Sequence, residues 1–583
     1  MFRLLPRAFA PARLTLSAMS TEAWDHWARG WRGPAMAAAL ACAAGAPAVF
    51  ALPTLDRDEA RFAQATVQML ETGDYTNINF QEGPRHKKPV GIHWLQAFSV
   101  ALTSSPEARD IWAYRLPSLL GAMVAAAACV WGARAFWTAG MSFAAGAIFG
   151  VSTLLSSEAG IAKTDAALCA AITLALAALA RIYARARGIE GGAARLAADG
   201  RTLAVFWAAI GMSILIKGPV GPMVAALTLL ALWAMDREVR WVRGLHWWWG
   251  LIVCLFMFGP WALAITVATD AGFWTEAVGG DLGPKLNSGD EGHGGPPGYH
   301  LLLSPVLLFP ATLLLPAAVV TAWKRRNDPG VRFALAWSLP TLLVFELLPT
   351  KLPHYVLPAY GGLAWLLALA LDEPKGRWTR GLGAAMSLLV GLAFAAVSPV
   401  AVAEFGDRND QAWAAAGAGL FLGAGLAGAV ALLNRASRTA LAATATLAVL
   451  GHAVLLAGLA PRLEPLWVSD RTARELRRVG LHPRSGLAPA PVQVSGFGEP
   501  SLVFALGTPT GLGLPEAAAQ AVTEGQTAVV EARDLPAFLA ALARLDTEAR
   551  AIGQVAGVNY SKGDPVTLTI FRLASEDADR SPP

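Results

Sequence analysis

Asp58-Glu59-Ala60-Arg61, just past the first long apolar run, puts two carboxylates and a guanidinium within one turn of helix. Gly73-Asp74-Tyr75 and the basic cluster Arg85-His86-Lys87-Lys88-Pro89 follow, and Lys163-Thr164-Asp165 supplies a further carboxylate. Lys217, Lys285 and Lys351 add ammonium groups further along. A carboxylate can take the proton of an attacking hydroxyl, while lysines and arginines hold a phosphate by charge and hydrogen bonds. Transfer of a sugar away from a phosphate needs both, because a base must serve the acceptor while the anomeric carbon gains positive character. Each residue also has a structural reading: Asp58 and Arg61 suit a solvated ion pair, and Asp165 suits a helix N-cap. Carboxylates and bases gathered on one face are what favour chemistry.

The background is very apolar. Hydrophobic residues make up 55% of the 583 and charged residues 15%, and the mean hydropathy is +0.45. Apolar runs long enough to cross a bilayer recur between residues 35 and 460, so the sequence predicts a polytopic α-helical membrane protein with about thirteen spans. They lie near 35–53, 111–133, 138–157, 165–183, 202–217, 219–235, 246–269, 299–322, 332–349, 352–371, 381–403, 411–433 and 439–460. The net charge of +5 sits mostly in short loops, where it reports topology and gives no argument for nucleic acid. The four cysteines, Cys42, Cys129, Cys169 and Cys254, lie inside apolar runs and read as small buried hydrophobes, not as a disulfide or metal framework.

Threading about thirteen spans puts the loops richest in Arg and Lys on the side of the arginine-bearing tail 1–34, which the positive-inside tendency makes cytoplasmic. The stretch 54–110, the turn at Asp165, Lys217-Gly218, the loop 270–298 and Lys351 then share the opposite, outer side. Within 54–110 the spacing of Asp58, Arg61, Phe62, Ala65 and Met69 predicts a helix lying at the membrane surface, stopped at Gly73. A second such helix, Gly91 to Leu102, would dip Trp94 and Phe98 into lipid. The loop 270–298 carries Glu276, Asp281, Asp290, Glu291 and His293 without a metal-diagnostic spacing and reads as a lid. A transporter would instead place ionisable residues at mid-span; Glu346 is the clearest such residue, at a cost of roughly 2.5–3.5 kcal/mol on insertion scales.

From about residue 461 the composition changes. Val492–Val494, Thr527–Val530, Gly553–Val558 and Thr567–Phe571 read as strands and Leu535–Leu545 as an amphipathic helix, which predicts a small α/β domain over 461–583, outside the membrane.

These pieces together resemble glycosyltransferase family 39 and its bacterial relatives, the aminoarabinose transferases of lipid A and the protein O-mannosyltransferases. The resemblance is carried by Asp58-Glu59-Ala60-Arg61-Phe62, Met69 with Gly73-Asp74-Tyr75, Lys88-Pro89 with Trp94-Leu95, Thr164-Asp165, Lys217-Gly218-Pro219 and Lys351-Leu352-Pro353-His354-Tyr355-Val356-Leu357-Pro358. It implies a GT-C-like architecture over 35–460, a polyprenyl-phosphate-linked sugar donor, a lipid or glycan acceptor, and a bacterial inner-membrane location with the site facing the periplasm. It implies Asp58 and Asp165 as catalytic positions, Arg61, Lys88 and Lys285 at the donor phosphate, and Tyr355 at the lipid phosphate. Glu59, Arg85, Lys217, Lys351 and His293 complete the candidate set. Phe62 stands where relatives often have Tyr. Lys87 stands where the aminoarabinose transferases have a metal-holding Glu, so no zinc site carries over, a divalent metal stays open, and assignment of aminoarabinose is weakened.

Overall fold

The computed structural model describes residues 21–189, 199–238, 240–283, 294–373, 375–485 and 490–574. Among them, nine helices are long and apolar enough to cross a membrane, or eleven if each of two bent helix pairs counts as one span. The chain is a multi-pass helical membrane protein. The bent pairs are Ala139–Gly150 with Thr153–Ala159, at 59°, and Tyr299–Leu307 with Ala311–Lys324, at 114°. By length and apolarity the described residues supply nine to eleven of the thirteen expected spans. The segment at 219–235 forms a helix, Val220–Asp236, of only 17 residues. It is cut from Gly200–Lys217 by Gly218, whose φ of +63° ends the preceding helix. The segment at 352–371 opens as a 3-10 turn over Pro353–Ala359 before the helix Tyr360–Leu369, since two prolines break its hydrogen-bond ladder.

Asp165–Ala186 is the central helix, with 89% of its most apolar window buried inside the protein, whereas Trp247–Ala268 is only 11% buried and faces outward. Alanine dominates Asp165–Ala186. Its neighbour Ile111–Ala133 approaches closely at glycines: a Cβ on Gly121 would stand 2.8 Å from the Ala166 backbone, and one on Gly132 2.8 Å from Ala177. Small residues on facing helices let backbones approach where lipid offers no hydrophobic drive.

The C-terminal part folds as expected into a small mixed sheet with helices. Its strand order is β4-β3-β5-β7-β6, with β3 Val492–Ser495, β4 Gly511–Gly513, β5 Thr527–Glu531, β6 Ala549–Asn559 and β7 Asp564–Leu573. β3 runs parallel to β4 and β5; β7 is antiparallel to β5 and β6. Helix Pro500–Leu506 of this domain rests on the first-loop helix Asp58–Thr72, and Phe504 packs with Ala63, Val67 and Tyr114. Residues Glu59 through Met69 are buried except Arg61: Ala65 and Met69 pack against Leu215, Trp261 and Ile265 of neighbouring helices, and the sheet domain covers Ala63 and Val67 on another side. Helix Gly91–Thr103 does keep an outward strip, with Trp94, Phe98 and Leu102 exposed at i, i+4 and i+8.

Candidate active site

Asp58 begins the first-loop helix immediately after Arg57, whose φ of +60° turns the chain sharply out of the first span. What fixes this corner is Glu59. Its carboxylate takes a two-pronged ion pair from Arg115, Nε to Oε1 at 2.8 Å and Nη2 to Oε2 at 2.6 Å, and both side chains are fully buried. The same carboxylate accepts the backbone N–H of Leu55 at 2.8 Å and of Ala162 at 2.7 Å. Arg115 also donates to the carbonyls of Leu52 at 2.7 Å and Pro53 at 2.8 Å, near the end of the first span. One buried pair thus ties together the first span, the Asp58 helix and the turn leading to Asp165. Glu59, a candidate for chemistry in the sequence, holds its neighbours in place and has no lone pair to spare.

The Asp58 side chain is 60% exposed, with Arg85 Nη2 3.9 Å from its Oδ1. Desolvation in its recess pushes the carboxyl up, but Lys88, Arg85, Lys163 and Arg61 more than offset this and hold it below the usual carboxylate range. Arg85 and Lys88 both sit over the Phe62 ring, at 5.0 and 5.4 Å from its centroid. Phe62 therefore forms a floor that places the two cations beside Asp58. Its other ring partner is His93, stacked at 5.4 Å. Burial, then Arg85 and Lys88, push the His93 imidazole down to about 3, so it is neutral at physiological pH.

Asp165 is engaged on several sides. Lys217 donates to Oδ1 at 2.6 Å, while Lys163 Nζ and His354 Nε2 stand 3.6 and 3.8 Å from Oδ2. Behind them Lys163 pairs with Glu158 at 2.9 Å. The Lys163 ammonium is pushed down by desolvation but raised on balance by Glu158 and Asp165. Lys217 also lies over the Tyr355 ring, 5.6 Å from its centroid. Beside this cluster opens a cavity of about 230 Å³. Its polar lining includes Lys87, Lys88, Asp165, Lys217, His354 and Tyr355, and its apolar walls include Phe273, Trp274, Val278 and Phe345. Three ammonium groups face one carboxylate in an otherwise apolar chamber, a setting that draws in an anion with a greasy tail.

Other candidates fall elsewhere. Lys351 donates to the carbonyls of Gly295 at 3.1 Å and Leu348 at 2.9 Å, which ties Gly295, just before helix Tyr299–Leu307, to the end of helix Pro329–Leu347. Lys285 and His293 lie outside the described residues. Glu346, the mid-span charge that a transporter would require, accepts the backbone N–H of Gly298 at 2.6 Å and of His300 at 3.1 Å, and so caps helix Tyr299–Leu307. Among the described residues no three His, Cys, Asp or Glu side chains group to hold a metal ion. Glu158, Asp165 and His354 come nearest, but the ammonium groups of Lys163 and Lys217 occupy the same oxygens. This donor set does not fit a divalent cation.

Sequence reasoning passed over Arg115, Glu158 and Arg109, and quoted Lys163 without giving it a role. Arg109 binds Gln64 Oε1 at 2.6 Å and Glu71 at 2.8 Å in the first-loop helix, and the Phe504 carbonyl at 3.1 Å and Thr508 hydroxyl at 3.1 Å in the sheet domain. The available signal was a charged residue inside or beside an apolar run, which marks a paired partner in the fold.

No family model matches the chain. It is 29% identical over 347 residues to an undecaprenyl phosphate-alpha-4-amino-4-deoxy-L-arabinose arabinosyl transferase of Pseudomonas paraeruginosa, covering 58% of this chain and 61% of that protein. An enzyme of the same name from Aeromonas salmonicida is 28% identical over 410 residues, covering 67% and 71%. The chain thus spans about three fifths of the length of the first of these relatives. In three dimensions it superposes on ArnT from Cupriavidus metallidurans in the apo state with a TM-score of 0.71, covering 91% of this chain and 95% of that one. The undecaprenyl phosphate-bound form gives 0.72, covering 92% and 97%, and both are 20% identical to this chain. The chain has the ArnT fold and is a distant sequence relative of the aminoarabinose transferases.

Proposed function

We propose that this protein is a membrane glycosyltransferase that takes a sugar from a polyprenyl-phosphate donor and passes it, with inversion, to a lipid or glycan acceptor of the bacterial envelope. The observation that carries this reading is the apolar-walled cavity in which Lys87, Lys88 and Lys217 gather around Asp165, with Asp58 held ionised beside Lys88. The donor is a phosphodiester with one negative charge; as the glycosidic bond breaks, the leaving phosphate gains a second. Lys88 and Lys217 neutralise that growing charge, which lowers the barrier because the cations are stationed there in advance. Arg61 and Lys285 complete the phosphate set, and Tyr355 packs the head of the lipid against Lys217.

Asp58 orients the acceptor hydroxyl. Its lowered basicity suits it to take the proton late, once positive character at the anomeric carbon has made the attacking oxygen acidic. Asp165 acts by holding Lys217 at 2.6 Å and is not a free base. The apolar wall around Phe273, Trp274 and Phe345 receives the first isoprene units. The site faces the periplasm, and the sheet domain stands on that side. The similarity to aminoarabinose transferases makes undecaprenyl-phosphate-linked aminoarabinose the first donor to test, with lipid A as acceptor, despite Lys87. Mass spectrometry of envelope lipids from a deletion strain, a complemented strain and an Asp58→Asn strain tests the reading. One sugar should be missing, and its polyprenyl-phosphate form should accumulate, in both defective strains. Normal envelope glycans in the Asp58→Asn strain would sink it.

A further inference from the structure

A second cleft, of about 620 Å³, lies where the first-loop hairpin meets the sheet domain. The hairpin pairs β1 Asn79–Phe80 with β2 Gly83–Pro84. One wall carries Phe80, Gln81 and Glu82; the other carries Gln493, Pro509 and Thr510 beside the edge strand β4. It shares no lining residue with the Lys217 cavity. We propose that this cleft binds an uncharged stretch of saccharide.

The lining offers amides, hydroxyls and backbone groups, and its one charged side chain is a carboxylate, Glu82, which repels phosphate and acid groups. Among the described residues the Gln493 amide has no hydrogen-bond partner. Its room is made by two glycines of β4: a Cβ on Gly511 would stand 1.9 Å from Gln493 Oε1, and one on Gly513 2.6 Å from Nε2. A carboxamide offers two donors beside an acceptor, which matches neighbouring sugar hydroxyls, and Phe80 and Pro509 present apolar surface to a ring face. The opposite wall is prebuilt. Gln68 clamps the Gln81 backbone, accepting its N–H at 2.7 Å and donating to its carbonyl at 2.8 Å, and the Gln81 amide reaches the carbonyl of Thr510. Such preorganisation limits the ordering cost of binding. A peptide adding to the sheet edge is a poorer fit, because β4 has three residues and two are glycine.

Gln64 and Gln68, which border this joint, lie six and ten residues along the helix from Asp58, or about 9 and 15 Å along its axis. On the transferase reading above, a glycan held in the cleft is the acceptor, reaching Asp58 from the sheet-domain side.

The test uses the full-length protein in detergent micelles. Lipopolysaccharide of the source bacterium, deacylated by alkali and dephosphorylated by hydrofluoric acid, is titrated against it and followed by saturation-transfer NMR. Saturable binding to the wild type, weakened at least fivefold by both Gln493→Ala and Gly511→Val, is expected. Undecaprenyl phosphate, titrated separately, should bind all three proteins alike. No glycan binding to the wild type, equal binding to the variants, or displacement of the glycan by unstructured peptide would overturn the proposal. Failure of undecaprenyl phosphate to bind the wild type would count against the transferase reading alone and leave the glycan arm to be judged by itself.

Discussion

Arg115→Met is the most informative single change, because Arg115 touches no part of the cavity yet organises its corner. The guanidinium makes six hydrogen bonds, two to Glu59 and four to carbonyls of Ala48, Val49, Leu52 and Pro53. Removing it leaves the Glu59 carboxylate buried without its counter-ion, and breaking a buried pair this way costs about 3–5 kcal/mol. Such a loss amounts to roughly two to three and a half decades in the folded-to-unfolded ratio. Unfolding can be followed with a thiol-reactive dye, since Cys129 and Cys169 are fully buried and react only when their helices open. The single variant should melt well below the wild type and lose transfer. The double variant Glu59→Leu with Arg115→Met removes both charges and should recover most of the melting temperature, as apolar replacements of buried pairs do. It should stay poorly active, because the hydrogen bond that fixes the Ala162 turn to the Asp58 helix is then gone. If Arg115→Met melts and turns over like the wild type, the assignment of this pair as the organiser of the site is wrong.

Asp58→Asn should lower kcat by about 10²–10⁴ while undecaprenyl phosphate binding, measured by titration, stays near wild type. Lys217→Ala removes a charge-assisted contact of about 1.5–3 kcal/mol and should weaken undecaprenyl phosphate binding by about tenfold or more. It should also strip Asp165 of its nearest cation, so Lys217→Arg should restore part of the binding. Docking of the sheet domain should depend on pH through Asp56, whose backbone N–H donates to the Tyr560 hydroxyl at 2.6 Å and whose carboxylate accepts from Ser501. Burial raises the Asp56 carboxyl to about 6, helped by Glu499 and opposed by hydrogen bonds from Ser501 and Tyr560 and by Arg57. The docked state therefore holds a proton that the undocked state releases. Docking is tightest below 3.8, the ordinary value, and weakens as pH rises through about 6. Hydrogen exchange across Pro500–Leu506 should speed up over that window, and Asp56→Asn should flatten the profile.

The sequence made the site's outline legible because polar residues stand out against an apolar chain. Asp58, Lys88 and Asp165 were visible in that way, and so were the strands of the sheet domain, whose β-branched runs are bounded by Gly and Pro. Pairing was not visible. Nothing local distinguishes Glu59, which is saturated by Arg115, from Asp58, which remains exposed one residue earlier. Their difference arises from a span 56 residues away. The burial of the first-loop helix was hidden for the same reason, since Leu215, Trp261 and Ile265 cover its apolar stripe at Ala65 and Met69, and Phe504 covers Ala63 and Val67.

The closeness of helices Ile111–Ala133 and Asp165–Ala186 has an evolutionary consequence. Asp165 is presented by a helix with almost no room around it, so adding even a methyl group at Gly121 or Gly132 would push it away from Lys217. A saturation scan should therefore find a column of intolerant small residues running far from the chemistry. Trp247–Ala268, largely exposed, should accept nearly any apolar residue outside its buried positions Gly250, Trp261 and Ile265. In this protein sequence freedom is distributed by crowding, and distance from the reaction is a poor guide to which positions can drift.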